Sequence, residues 1–273
     1  MRSKDTAENA RQVKPKESEQ IPTAQPSKPK KRHIWRWVAG TVAVLILIPV
    51  LYLGYLGFVP GLSSVFGSNK PKDLGVRYTA ADYTSYQQKT GSQYLDFANA
   101  PPNPNKLGKK IVFGDPKQMD LNLTQSEVTA AINSVGWAWM PIKNAQVRFG
   151  DGTVEVSGNV NGAVIPDFVN FIGGVGYSQS DVEKASVWAK RLGNPPIYLK
   201  GNATVTDNVL DLRVTEAQVG RFKVSIASAE KVLSTGTINI KNNAVGYFVQ
   251  SASFQNSQLH FVGTAPTTTY VKH

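Results

Sequence analysis

The chain has 273 residues, no cysteine, 41% apolar residues and a formal net charge of +11. The absence of cysteine excludes disulfides, thiolate metal sites and cysteine nucleophiles, whereas the apolar content is ordinary for a folded protein. Residues 1–37 contain ten Lys or Arg against four acids, so only +5 of the charge belongs to the rest of the chain. That remainder is too small for a DNA-binding face, and we expect no nucleic-acid partner.

Residues 1–36 are polar, contain proline and have almost no large apolar side chain. Such a segment cannot bury enough surface to offset its chain entropy, so we expect a disordered cytoplasmic tail. Its basic cluster either contacts anionic lipid headgroups at the membrane surface or only sets the topology of the chain. The cluster consists of Lys28, Lys30, Lys31, Arg32 and Arg36.

Residues 37–59 include "WVAGTVAVLILIPVLYLGYLGF" and no charged side chain. A bilayer core needs about 20 apolar residues, so the pattern predicts a transmembrane helix, in which Pro49 is tolerated. A cleaved signal peptide would be shorter and would begin earlier in the chain. Because the basic cluster precedes this segment, we expect a single-pass plasma-membrane protein with a cytoplasmic N-terminus and its C-terminal domain outside.

Residues 60–110 mix Gly, Ser, Pro and Lys, and we expect a stalk with a short helix after Thr79. An extracytoplasmic domain is predicted over residues 111–273. Its first helix begins with the capping box Thr124–Glu127 and has an apolar stripe of Val128, Ala131, Ile132 and Val135. A second capping box, Ser180–Glu183, predicts a helix that ends near Gly193.

Three segments share one hairpin pattern, in which two alternating apolar residues precede a two-residue turn and two or three follow it. The predicted turns are Asp151-Gly152, Asp207-Asn208 and Asn256-Ser257, and a type I′ turn favours such pairs because both central residues have positive φ. "GTINIKNNAV" and "VGYFVQSA" add further strand signal. The sequence therefore predicts an α+β domain, a curved antiparallel sheet of repeated β-hairpins with the helices packed on its apolar face.

The order of these segments resembles the YpmS-like family of membrane-anchored bacterial proteins. The resemblance rests on "LNLTQSEVTAAIN", "VRFGDGTVEVSGNVNGAVIP" and "NVLDLRVTEAQVGRFKVSIASAEKVL" and covers roughly residues 120–233. It implies an N-terminal anchor and an outside domain whose function is not established. More remotely, the arrangement is similar to TULIP-type folds, which implies an apolar groove for acyl chains.

The sequence contains little that supports a catalytic site. Histidine occurs only at positions 33, 260 and 273, which excludes a two-histidine metal site within one chain, and no nucleophile or phosphate-loop motif is present. Asp151 with Glu155, or Asp207 with Asp211, could pair as acids in an envelope hydrolase, but the turn positions argue against it. We therefore expect no catalytic residue, no metal and no cofactor.

The most informative segment is "AVIPDFVNFIGGVGY", which has too many large apolar side chains for a surface loop. It is either a lid over an apolar groove or a plug that belongs to the core. The "GWAWMPI" segment could line the same groove, which we expect between the sheet and the helices from Thr124 and Ser180. The candidate ligand-binding residues are Trp137, Trp139, Ile165, Phe168, Phe171, Ile172 and Tyr177.

Two functions follow from this pattern. The first is a membrane-anchored module that binds lipid or another apolar envelope ligand. The second is a structural or interaction protein of a cell-envelope assembly that has no small ligand.

Overall fold

The structure is a computed structural model that describes residues 32–102, 111–243 and 246–273. Side chains are described over 40–102, 111–235 and 246–273. The predicted cytoplasmic tail and all five residues of its basic cluster lie outside the described side chains. The chain divides into two units, Met1–Leu45 and Ile46–His273.

The described residues form an α+β fold with a nine-stranded sheet. The strands are β1 (Gln93–Asp96), β2 (Ile111–Thr124), β3 (Ile142–Gly150), β4 (Thr153–Val160), β5 (Pro196–Thr206), β6 (Val209–Val219), β7 (Phe222–Lys223), β8 (Phe248–Gln255) and β9 (Gln258–Val271). The helices are α1 (Arg32–Leu56), α2 (Leu62–Val65), α3 (Ala80–Thr90), α4 (Gln125–Ser134), α5 (Ile165–Phe171), α6 (Gln179–Arg191) and α7 (Ile226–Asn243). A 3₁₀ turn follows β1 at Phe97–Asn99.

The sheet is mixed and open, which corrects the prediction of a purely antiparallel sheet. Strand β1 pairs parallel with the end of β9, whereas the other pairs are antiparallel. Strand β9 lies between β2 on one side and β8 with β1 on the other. Strand β5 links the two halves, because it pairs with β4 and β6 along most of its length and with β8 at Val205 and Thr206. Residues of the predicted stalk thus contribute β1 to the sheet.

Helix α1 has exposed apolar side chains on consecutive residues from Val44 to Ile48. Five successive residues exceed one helical turn, so every face of this stretch is apolar and exposed. Over the part of the chain with described side chains, which begins at Gly40, no helix has the length and apolarity needed to cross a membrane.

The three predicted hairpins are confirmed as β3–β4, β5–β6 and β8–β9. Asp207, Asn208, Asn256 and Ser257 all have positive φ, as a type I′ turn requires. The first turn differs, because positive φ occurs there at Gly152 and not at Asp151. The carboxylate of Asp151 instead accepts a hydrogen bond from the backbone N–H of Asn256 at 3.1 Å, which ties the first hairpin to the third.

Helix α4 begins with the predicted capping box at Thr124 and Glu127, but its buried face is not the predicted apolar stripe. Gln125, Thr129 and Asn133, spaced four residues apart, hydrogen-bond the backbone of Phe149, Val147 and Ala145. The spacing matches because four helical residues advance about 6 Å and two strand residues about 6.7 Å. Polar side chains of α4 thereby cover the free edge of β3, which would otherwise have unpaired backbone groups.

Two other expectations are corrected. Helix α6 begins two residues early, because Ser178 rather than Ser180 is the N-cap and accepts a hydrogen bond from the backbone N–H of Asp181. The segment predicted as a strand, "GTINIKNNAV", is helical up to Asn243 because it continues α7. Its β-branched residues favour a strand only where a pleated surface is available, and here the helix from Ile226 continues through them.

Candidate functional site

Helix α5 and the loop to α6 are partly core and partly surface. Val169, Ile172 and Val175 are buried together with Val182 of α6, whereas Ile165, Phe168 and Phe171 pack against this cluster and remain partly exposed. The segment is therefore neither wholly a lid nor wholly a plug, because its two faces differ in burial. One side of the segment is core, and the other side is available as a wall.

An aromatic cluster supports α5 from behind. The ring of Trp137 lies 5.0 Å from that of Phe171 and 6.0 Å from that of Phe168, centroid to centroid, both edge-on. Trp139, which is buried, lies 6.0 Å from Phe171. Edge-to-face rings at these distances stabilise one another beyond the area they bury, so the cluster fixes the position of Phe168.

In front of α5 lies an apolar groove with a volume of about 710 Å³. Its floor includes Leu199 of β5, and its walls come from α5, α6 and α7. Among the described lining residues, Asp181, Ser228 and the hydroxyl of Tyr177 are the polar groups. The remaining lining residues are Pro141, Ile165, Phe168, Val169, Val175, Val182, Ala185, Leu199, Val224, Ala229, Val232 and Leu233.

Helix α7 is held at the groove by two polar contacts. The carboxylate of Glu230 accepts a hydrogen bond from the backbone N–H of Val214 at 3.0 Å, at a bulge where β6 leaves its regular register with β5. On the other side, the ammonium of Lys231 lies 4.4 Å from the ring centroid of Tyr177. This cation–π contact bridges α7 and the α5–α6 loop across the mouth of the groove.

The predicted residues divide into three groups. Ile165, Phe168 and Tyr177 line the groove. Trp137, Trp139 and Phe171 form the aromatic cluster behind it, and Ile172 is core. The helix from Thr124 does not line the groove, which corrects that expectation, and α7 takes its place.

Sequence reasoning missed the α7 wall. Ser228, Ala229, Val232 and Leu233 recur at helical spacing, and that period is the signal that would have found them. Leu199 was also missed. The alternation of residues along a strand divides them between the two faces of the sheet, but it does not indicate which face lines a groove.

On the opposite face of β5 lies a buried ion cluster around Glu155. Its carboxylate accepts hydrogen bonds from Arg148 at 2.7 Å and from the Tyr198 hydroxyl at 2.6 Å, with the ammonium of Lys200 at 3.7 Å. Burial raises the pKa of Glu155, but these hydrogen bonds and the charges of Arg148 and Lys200 outweigh it and hold the pKa below its ordinary value. Burial and the same carboxylate raise the pKa of Tyr198. Glu155 is therefore ionised, with both oxygens occupied by partners.

The other acids proposed for hydrolysis lie apart from this cluster. Asp151 occupies a hairpin tip, and Asp211 lines a separate polar cleft with Arg213 and Asn202. Within the described residues, no group of three His, Asp or Glu side chains is arranged to hold a metal ion. His260 pairs with Asp120 at 2.8 Å on the surface of β9 and β2.

Comparison of the chain with protein-family models, with curated proteins and with solved structures finds no match.

Proposed function

We propose that the protein is a membrane-anchored extracytoplasmic module that binds the hydrocarbon part of a lipid, or of a similar envelope ligand, in the groove of α5, α6 and α7. The observation that supports this most is the groove itself. Ligand sites have volumes of about 300–1,000 Å³ and are mostly apolar with a few polar groups, and this groove has about 710 Å³.

The transfer of apolar groups from water into the groove favours a bound ligand. Exposed apolar patches of this kind are unfavourable in water and mark sites of interaction. Each methylene that enters such a groove gains about 0.8 kcal/mol, so an alkyl chain of eight carbons gains about 6 kcal/mol before its ordering is subtracted. The few polar groups at the mouth suit a ligand whose polar end stays near water.

The anchor is the second part of the proposal. Residues 37–59 contain no charge, and the side chains of Val42, Leu45, Ile46, Ile48 and Leu53 are exposed. A helix that is apolar on every face belongs in a core or a membrane. The proposed span begins at Trp37, ahead of the described side chains. Its topology follows from the basic cluster and places the domain outside the plasma membrane.

The likeness to YpmS-like proteins and to TULIP-type folds stays a prediction, and the proposal depends on the groove instead. The alternative, an interaction protein of the cell envelope without a small ligand, is favoured by the outer face of α6. Trp188 is 59% exposed there and Val187 is also exposed.

The test is lipid analysis of the full chain with a matched pair of variants. Ala229 lines the groove, whereas Ala227, two residues earlier on α7, is exposed and does not. The chain is purified in a neutral detergent, washed and extracted with organic solvent for mass spectrometry. We expect equal lipid with the wild type and with Ala227→Trp, and less lipid with Ala229→Trp because the indole fills the groove. Equal lipid in both variants, or none in the wild type, contradicts the proposal and favours the alternative.

A further inference from the structure

The residues that follow α1 fold back onto its end and onto the β6–β7 turn. Arg221 makes three of these contacts. Its backbone N–H donates to the carbonyl of Leu56 at 2.9 Å, its guanidinium donates to the carbonyl of Phe66 at 2.8 Å, and its Cζ lies 4.4 Å from the ring centroid of Tyr55. The β6–β7 turn is therefore fixed where the proposed span leaves the membrane.

A basic pocket of about 200 Å³ opens at this place. Lys70, Lys72 and Arg221 line it, together with Ser68 and Gln218, and no carboxylate is among its described lining residues. The ammonium of Lys72 lies 3.5 Å from the ring centroid of Tyr198. In the part of the chain that the structure describes, neither lysine forms an ion pair with an acid. The pocket thus has cations that lack an anionic partner.

Exposed apolar side chains lie next to lining residues of the pocket in the chain. Val65 is 80% exposed and Phe222 is 52% exposed, with Phe66 beside them. The ring of Phe222 lies 6.1 Å from that of Phe58, which lies at the end of the proposed span. Apolar and aromatic side chains interleaved with unpaired cations are typical of surfaces that lie in the headgroup region of a bilayer.

From this juxtaposition we propose that Lys70, Lys72 and Arg221 bind the phosphate of an anionic phospholipid in the outer leaflet, while Val65, Phe66 and Phe222 enter that leaflet. The inference rests on the proposed membrane anchor. It also concerns the groove, because Ile197 of the basic pocket and Leu199 of the groove are two residues apart on β5, about 7 Å along the strand. The docked surface holds the groove close to the leaflet from which an acyl chain would come.

The experiment counts phospholipids on the intact full chain by native mass spectrometry. The chain is released from a neutral detergent after titration with phosphatidylglycerol or with phosphatidylcholine. Each cation beside an anionic headgroup strengthens binding roughly fivefold, so Lys70→Gln with Lys72→Gln weakens phosphatidylglycerol binding roughly 30-fold. The control is Lys117→Gln with Lys143→Gln, which removes the same charge from exposed positions on β2 and β3 and leaves binding unchanged. An absence of preference for phosphatidylglycerol, or a preference that survives Lys70→Gln with Lys72→Gln, overturns the inference.

A second measurement locates the bound headgroup. Phosphatidylglycerol with a photoreactive headgroup is expected to crosslink to residues 65–72 and 220–223 of the full chain. It is not expected to label Val209, which is exposed at the other end of β6, about 33 Å along the strand from the β6–β7 turn. Label at Val209 and not at the pocket overturns the inference. Failure of the proposed groove function can be told apart from failure of this inference. Ala229→Trp is expected to remove lipid from the groove and to leave the preference for phosphatidylglycerol intact.

Discussion

Replacement of Thr129 by valine tests how α4 protects the edge of the sheet. The Thr129 hydroxyl accepts a hydrogen bond from the backbone N–H of Val147 at 3.0 Å and lies 3.4 Å from the carbonyl oxygen of the same residue. Thr129 is fully buried, at 0% exposure. Valine has nearly the same shape, so Thr129→Val removes the hydrogen bonds and leaves no cavity.

The magnitude follows from the groups left without partners. A buried backbone group that loses its partner costs about 1–3 kcal/mol, and here the N–H loses a good bond while the carbonyl loses a long one. We expect Thr129→Val to lower the free energy of unfolding by about 2 kcal/mol. For a domain of this size that corresponds to a melting temperature lower by about 4–8 °C.

Thermal unfolding of the full chain in neutral detergent, followed by near-UV circular dichroism, provides the assay. The control is Thr84→Val on the exposed side of α3, whose hydroxyl donates to the carbonyl of Ala80 in its own helix. We expect that change to stay within about 0.5 kcal/mol. A similar small effect for Thr129→Val would refute the role of the α4 side chains at the edge of β3.

Three further outcomes are expected. Gly220→Ala should lower the free energy of unfolding by about 2 kcal/mol or more, because φ is +59° and an added methyl would meet the carbonyl of Leu56. The control is Gly193→Ala, where φ is +73° and the space is open, so that only the backbone strain of about 1–2 kcal/mol is measured. Burial raises the pKa values of Glu127 and Glu155, but hydrogen bonds and cations outweigh it and hold both below the ordinary value of 4.5. The stabilisation from both carboxylates is therefore complete above pH 4.5 and is lost as the pH falls through their folded-state pKa values. The urea concentration at the unfolding midpoint should decrease as the pH is lowered below 4.5, and it should decrease less steeply in Glu155→Gln. Finally, fatty-acid dissociation constants should improve roughly 15-fold for each two methylenes added until the groove is full, and a flat series by calorimetry would contradict the groove.

Local patterns predicted much of the fold. The capping box of Thr124 and Glu127 and the turns at Asp207-Asn208 and Asn256-Ser257 depend on neighbours within a few residues, and all are present. The shared register of the hairpins needs only strand alternation. Such features are determined by short-range sterics and hydrogen bonding, which a single sequence contains.

The rest depends on contacts between distant segments. The stripe from Gln125 to Asn133 is polar and resembles a solvated face until β3 is placed against it. In the groove, Leu199 and Ala229 are about thirty residues apart in the chain, and the helix that includes Ala229 continues into a segment of strand-like composition. The α5 segment was found because its apolar density is unusual for a loop, but its division between core and groove wall appears only once α6 and α7 are in place.

The most direct measurement of the central claim is photo-crosslinking of a fatty acid with a diazirine near its terminal methyl to the full chain, followed by peptide mapping. The claim predicts label on groove residues of α5, α6 and α7, such as Phe168, Ala185 and Val232, and loss of that label in Ala229→Trp but not in Ala227→Trp. Label confined to residues 42–55 of α1, or equal label in the two variants, would contradict it.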